Sequence, residues 1–159
     1  MFCINCGNKL DLKFLEFEGM IPYCNYCNDY VFHKYNCAVS MIVLDPTCKK
    51  MLLVKQYGTN KYRLVAGYVE HKENLEHAVY RELGEEIGRY PNNIEFNKSE
   101  YFPKSDTLIA NFICKLTSMD VFPNHEIDEY AWVDIEDSLE CLKNASLAKL
   151  FVKNYLDRK

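Results

Sequence analysis

With 159 residues, 48% of them hydrophobic and 26% charged, the chain can fill one globular core and a small appendage, and its composition does not demand disorder. A formal net charge of −4 argues against broad affinity for nucleic-acid backbones, while leaving room for one nucleotide in a metal-lined site. The start, MFCINCGNKLDLKFLEF, lacks the basic, apolar and small-residue regions of a signal peptide, and the longest apolar run, 38–44, is too short for a bilayer. The expectation is a cytoplasmic protein without membrane contact, in which eight cysteines read as metal ligands or buried thiols rather than disulfides.

The first element in chain order is built on cysteine. Cys3-Ile4-Asn5-Cys6-Gly7 and Cys24-Asn25-Tyr26-Cys27 are two pairs of two-residue spacing, seventeen residues apart. Such spacing turns both sulfurs of a pair toward one point, and two pairs supply the tetrahedral sulfur set that zinc prefers. Between them, residues 13–18 and 20–23 predict a short hairpin turning at Gly19. Residues 1–36 therefore read as a zinc ribbon, held by Cys3, Cys6, Cys24 and Cys27, with the metal supplying much of its folding free energy. Four thiolates leave no open coordination position, so this zinc is structural. Cys37, Cys48, Cys114 and Cys141 are scattered and read as small buried hydrophobes. His71 and His77 share no ligand spacing and read as exposed helix-face residues.

Beyond the ribbon, residues 37–159 predict one mixed α/β domain. AVSMIVLD (38–45) reads as a buried strand, ended by a turn at Asp45-Pro46-Thr47 and partnered by 51–57. Short strands are expected at 62–65 and 68–69, around Gly67. The pattern then turns helical from Asn74, a plausible N-cap, to Ile87, with Leu75, Val79, Leu83 and Ile87 forming one apolar stripe. Gly88 and Pro91 stop that helix. Strands return at 94–96, 108–116 and 130–133, and a terminal helix is predicted over 145–156.

Glu82, Glu85 and Glu86 crowd about a third of the central helix's circumference. Like charges so close weaken a bare helix by a few tenths of a kcal/mol per pair (about 0.2–0.5). Grouped carboxylates of this kind suit magnesium or manganese, whose charge removes the repulsion; a solvated acidic face is the bland alternative.

The surrounding pattern favours the metal. Gly67, five residues, Glu73, seven residues, Arg81-Glu82-Leu83, one residue, Glu85-Glu86, one residue and Gly88 match the Nudix box at eight fixed positions. The chain thus resembles the Nudix hydrolase superfamily. Arg89 stands where that family has an aliphatic residue, and Lys72 replaces a common glycine. A ribbon followed by such a box resembles the NADH pyrophosphatase branch, as do Val65-Ala66-Gly67-Tyr68-Val69-Glu70, Phe32-His33-Lys34 and Glu126-Ile127-Asp128-Glu129-Tyr130-Ala131-Trp132.

The resemblance implies an α/β/α sandwich with a mixed sheet behind the ribbon. It implies that Glu82 and Glu86 ligate catalytic magnesium or manganese, joined by Glu129 from across the cleft and by the Ala66 carbonyl. Glu85 becomes a further ligand or a water-orienting group, and Arg81 and Glu73 brace the loop by an ion pair. The branch's SQPWPFPxS signature is shortened here to Ser99-Glu100-Tyr101-Phe102-Pro103-Lys104-Ser105, without the tryptophan. Glu100, Tyr101, Phe102, Pro103, Lys104 and Ser105, with Phe32, are the implied substrate-binding residues. The implied reaction is hydrolysis of the pyrophosphate of NAD(H) or a related nucleoside diphosphate, NAD-capped RNA included, by a homodimer. Two alternatives stay open. One is an ADP-ribose or nucleotide-sugar pyrophosphatase; the other is a ribbon-led nucleic-acid or protein adaptor with an inactive Nudix fold.

Overall fold

In the computed structural model, which describes residues 1–158, the chain divides into two compact units, Met1–Tyr35 and Asn36–Lys159. The first is a three-stranded antiparallel sheet of β1 (Asp11–Leu15), β2 (Gly19–Cys24) and β3 (Asp29–Tyr30), in that order. Leu15 pairs with Gly19, so the expected hairpin is present but turns over residues 16–18, with Phe17 in the left-handed region at φ +69°. Its buried centre is Cys3, Leu10 and Cys24, with Cys6 and Val31 packed against it.

The second unit is built on β4 (Asn36–Leu44), β5 (Lys50–Gln56), β6 (Val65–Tyr68), β7 (Asn93–Phe102), β8 (Thr107–Lys115) and β9 (Ile127–Asp134). The strands run in the order β7-β8-β4-β5-β9. The β4–β8 pair is parallel and the others antiparallel, so the sheet is mixed. One edge of β4 is forked: Ala38–Met41 pair with β6, while only Val43 and Leu44 pair with β5. Helix α1 (Leu75–Ile87) covers one face of the sheet. α3 (Leu147–Asp157) covers the other, preceded by the single turn α2 (Ser138–Cys141).

Covering both faces explains why β4 reads as an unbroken apolar run. Side chains alternate across a strand, so Val39, Met41 and Val43 face α1 while Ile42 and Leu44 face α3. The predicted stripe does its work in α1, where Val79, Leu83 and Ile87 are fully buried and Leu75 packs at the margin. The Asn74 side chain accepts from the His77 backbone N–H at 2.8 Å, and Gly88 closes the helix at φ +62°.

Two elements depart from the sequence expectation. β6 runs straight through Gly67 as one strand rather than two flanking pieces. β7 spans ten residues, where only 94–96 had a strand pattern, because polar residues mask its alternation. Asn97 sits at a bulge in β7, and its amide donates to Asn111 Oδ1 at 2.9 Å and the Phe151 carbonyl at 3.0 Å. That buried bonding ties β7, β8 and α3 together with its polar groups satisfied. No helix among the described residues is long and apolar enough to cross a membrane.

Candidate active site

The carboxylates of α1 line a cleft of about 580 Å³ against β6 and the end of β5. Glu82 and Glu86 lie one helical turn apart on the side facing Gly67 and Gln56. A Cβ on Gly67 would stand 1.9 Å from Glu82 Cδ, so only glycine lets the carboxylate approach this strand. Glu86 is 4% exposed and accepts from Gln56 Nε2 at 2.9 Å. Burial, then the charges of Glu82 and Glu126, push its carboxyl up to about 8, against the opposing hydrogen bond from Gln56. Burial also raises Glu82, although the Arg81 guanidinium opposes it. Glu85 lies at the more exposed outer edge.

Arg81 organises this edge. It grips Glu73 through two bonds of 2.9 Å, from Nε and Nη2, the paired geometry that suits guanidinium and carboxylate. It reaches Glu82 Oε1 at 2.7 Å and Glu85 Oε2 at 3.2 Å, and donates to the Tyr68 carbonyl at 2.9 Å. Loop 69–74 is thereby tied to both β6 and α1. Within that loop Lys72 sits at φ +68°, which accounts for the glycine usual at its position.

The structure separates the two glutamates of Glu126-Ile127-Asp128-Glu129. Lys55 pairs with Glu129, but the next residue, Gln56, pairs with Ile127, so a bulge at Asp128 interrupts the alternation. Glu129 is left beside Lys55, with an ion pair of 2.9 Å, and beside Tyr62, whose hydroxyl donates at 2.6 Å. It does not line the cleft. Glu126 does, accepting from the Tyr57 hydroxyl at 2.7 Å. The resemblance placed Glu129 across the cleft; in the structure Glu126 lines it and Glu129 does not.

The predicted substrate residues scatter more widely. Ser105 and Ala66 line the cleft. Tyr101, Phe102, Pro103 and Lys104 line a neighbouring cavity of about 540 Å³. Glu100 pairs instead with Lys98 at 2.8 Å, and Phe32 belongs to the first unit, where it is 53% exposed. Gln56, Tyr57, Arg63 and Glu126 line the cleft without having been singled out. They come from strand ends and loops with no fixed spacing; the E-x-x-E repeat was the one signal, and it was ambiguous.

Both metal readings pass a chemical test. The cleft lining includes the oxygen donors Glu82, Glu85, Glu86 and Glu126, the donor type that suits a hard divalent cation. Burial foremost, and for Glu86 the charges of Glu82 and Glu126 after it, disfavours the ionised form of the two inner carboxyls, which a cation would restore. In the first unit, the sulfurs of Cys3, Cys6, Cys24 and Cys27 all lie within 4.8 Å of one another, the one such cluster of potential ligands among the described residues. The Cys6–Cys24 and Cys3–Cys27 separations, 3.5 and 3.9 Å, bracket the roughly 3.8 Å edge of a zinc–sulfur tetrahedron. Contacts with Asn8, its backbone first, pull the Cys6 thiol down to about 6, while the neighbouring sulfurs, Cys6 foremost, push Cys27 up to about 12. Sulfurs so close cannot all carry charge without a cation. Gly7 and Asn28, each following the second cysteine of its pair, take left-handed conformations at φ +75° and +56°.

Comparison with known proteins agrees with this picture. The chain is 28% identical over 162 residues to the NAD-capped RNA hydrolase NudC of Pseudomonas aeruginosa (strain LESB58), covering 99% of this chain and 56% of that protein. It is 27% identical over 160 residues to NudC of Chromobacterium violaceum, covering 99% and 58%. The chain thus spans little more than half the length of the curated relatives it matches. Among solved structures, a NUDIX hydrolase from Nitrosomonas europaea superposes with a TM-score of 0.69 at 23% identity, over 99% of this chain and 91% of the other. The NUDIX domain of Shewanella oneidensis NrtR, complexed with ADP ribose, superposes with a TM-score of 0.67 at 16% identity, over 86% and 93%. The family model described as the NUDIX domain matches residues 34–155, most of the chain. With that match, the box residues 67–88 and the sandwich around them, this chain belongs to the NUDIX domain family.

Proposed function

We propose that the protein is a divalent-metal-dependent Nudix hydrolase that cleaves the pyrophosphate bond of NAD(H) or a related nucleoside diphosphate linked to another moiety. The observation that carries this reading is Glu86, buried beside Glu82 and facing Glu126 in an open cleft. Their hydrogen bonds to Arg81, Gln56 and Tyr57 orient these carboxylates without neutralising Glu86, the role a divalent cation would fill. The names of the NudC relatives agree with it and extend the candidate substrates to NAD-capped RNA.

Magnesium or manganese, when bound, supplies neutralising charge for the pyrophosphate oxygens and a more acidic water. Glu82, Glu86 and Glu126 would hold it, with Glu85 and the Ala66 carbonyl as further oxygen donors. Gln56 keeps Glu86 Oε2 oriented, and Arg81 keeps Glu82 Oε1 and the loop of Glu73 in place. A cleft glutamate, Glu85 or Glu126, takes the proton from the attacking water at a carboxylate oxygen. Glu126 replaces Glu129 in this scheme, since Glu129 is engaged with Lys55 and Tyr62. The ribbon carries one structural zinc, and the enzyme works in the cytoplasm as a homodimer; a monomeric mass by light scattering would count against the last point.

A second reading keeps the chemistry and changes the substrate to ADP-ribose or a nucleotide sugar. The shortened segment 99–105 favours it, as does the ADP ribose complex of a structural neighbour.

The deciding experiment is a panel of NADH, NAD, ADP-ribose, a nucleotide sugar and NAD-capped RNA, incubated with magnesium. Glu86→Gln should lower kcat on the best substrate by at least about a hundredfold. Full activity in that variant, or no mononucleotide release from any compound, sinks the proposal. The ranking by kcat/KM chooses between the two substrate readings.

A further inference from the structure

The cavity beside the cleft differs from it in chemistry. Ala38, Arg63, Leu64, Ala66 and Ile109 line both, so the two share a wall. The cleft side carries Glu70, Glu82, Glu85, Glu86 and Glu126. The cavity side carries no carboxylate among its lining residues, and it gathers three cations: Arg63, Lys104 and Lys143. In a chain with 23 acidic residues against 19 basic ones, that segregation requires a reason.

Lys104 and Lys143 make no close ion pair among the described residues, and Arg63 makes none either, although its charge is felt by Glu86 across the cleft. Arg63 makes a long hydrogen bond of 3.3 Å to the neutral Thr59 hydroxyl. Three like charges around one largely apolar hollow repel one another, and an arriving anion converts that repulsion into attraction. The rest of the wall is Leu64, Phe102, Ile109, Leu147 and Phe151, with the Tyr101 ring, surfaces against which a base can lie. A volume of about 540 Å³ falls in the ordinary range for small-molecule sites.

The placement of the cations divides their tasks. Arg63 lines both spaces and so can meet an oxygen of the pyrophosphate at the shared wall. Lys104, on the short turn after β7, and Lys143, in the loop before α3, line only the cavity. Their charge lies beyond the bond being broken. We propose that the cavity takes the nucleoside half of the substrate, and that this half bears a phosphate ester on its ribose in addition to the pyrophosphate. Arg63 receives the pyrophosphate side, and Lys104 and Lys143 receive the ester. The inference rests on the hydrolase reading for the role of the site, but its binding test does not depend on turnover.

The full-length protein would be titrated calorimetrically, without divalent metal and at fixed ionic strength, with four probes. They are AMP, adenosine 2′,5′-bisphosphate, adenosine 3′,5′-bisphosphate and the 5′-phosphorylated dinucleotide of adenosine, which carries a 3′ phosphodiester. At least one phosphate-bearing probe should bind about tenfold or more tightly than AMP, and which one does so separates a 2′ ester, a 3′ ester and a 3′ diester. The double variant Lys104→Gln, Lys143→Gln should bring that ratio close to one. Arg63→Gln should weaken all four probes together. Equal affinities for all four probes, or a preference that survives the double variant, overturns the inference even if the hydrolysis panel succeeds. A clear preference alongside a failed hydrolysis panel sinks the hydrolase reading and leaves this site standing.

Discussion

The first unit buries Cys3, Leu10 and Cys24 and leaves Phe2, Ile4, Phe14 and Phe17 between 67% and 96% exposed, while the second seals two apolar clusters on opposite faces of one sheet. A segment of 35 residues is too small to offset its chain entropy by apolar burial, so its stability must come through the cysteine cluster. The second unit has α1 and α3 to cover its sheet and can place metal ligands where they serve chemistry. Sulfur closes a site in one unit; oxygen leaves one open in the other. On the proposed reading both sets of ligands hold a cation, and only the first needs it to exist as a fold.

The largest expected effect breaks the two units apart. Removing zinc with a strong chelator should unfold the first unit, since structural zinc in small domains contributes on the order of 10 kcal/mol. Limited proteolysis should then cut within residues 1–35 and spare 36–158. Simultaneous cutting in both would show that the second unit also depends on the metal. Next in size is Leu83→Ala at the centre of the α1 cluster, where Leu83 is fully buried. A loss of about 2–5 kcal/mol is expected in denaturant unfolding of the second unit, with zinc content unchanged.

A smaller effect depends on pH. Asp45 is 3% exposed, and burial alone would raise its carboxyl. The Thr47 hydroxyl and the backbone N–H groups of Lys50, Thr47 and Lys49 outweigh that and hold it at about 2, below its ordinary 3.8. Because the folded value is depressed, the stabilisation is complete above about pH 4 and is lost as pH falls toward 2. It amounts to about 2 kcal/mol. Asp45→Asn should flatten the second unit's stability between pH 5 and about 2 by that amount; an unchanged slope would contradict this role for the turn. The smallest effect is Lys72→Gly, which relieves the left-handed conformation and should stabilise the second unit by less than about 1 kcal/mol. A loss of stability there would mean that the lysine side chain contributes more than its backbone costs.

Spacing along the chain revealed more of the molecule than composition did. The paired cysteines, the Asn74 cap, the apolar stripe of α1 and the Gly88 stop were all legible, because each depends on geometry within a few residues. Gly67 was legible as a fixed position but misread as a break between strands. Its function is to admit the Glu82 carboxylate, a contact made across fifteen residues of sequence. β7 was mostly hidden, since its one buried polar residue, Asn97, satisfied by β8 and α3, looks like a surface residue in a sequence.

The sequence by itself determined that Glu82 and Glu86 would share one face of a helix and that four sulfurs could converge, because helix pitch and two-residue turns are local constants. Only the tertiary structure decided which glutamate of 126–129 reaches the cleft. Glu126 precedes β9 and lines the cleft, while Glu129 lies within the strand, engaged by Lys55 and Tyr62. The tertiary structure likewise brought Arg63, Lys104 and Lys143 to one cavity from three separate segments. Contacts of that kind are settled by the packing of elements distant in the chain, and no spacing within a segment records them.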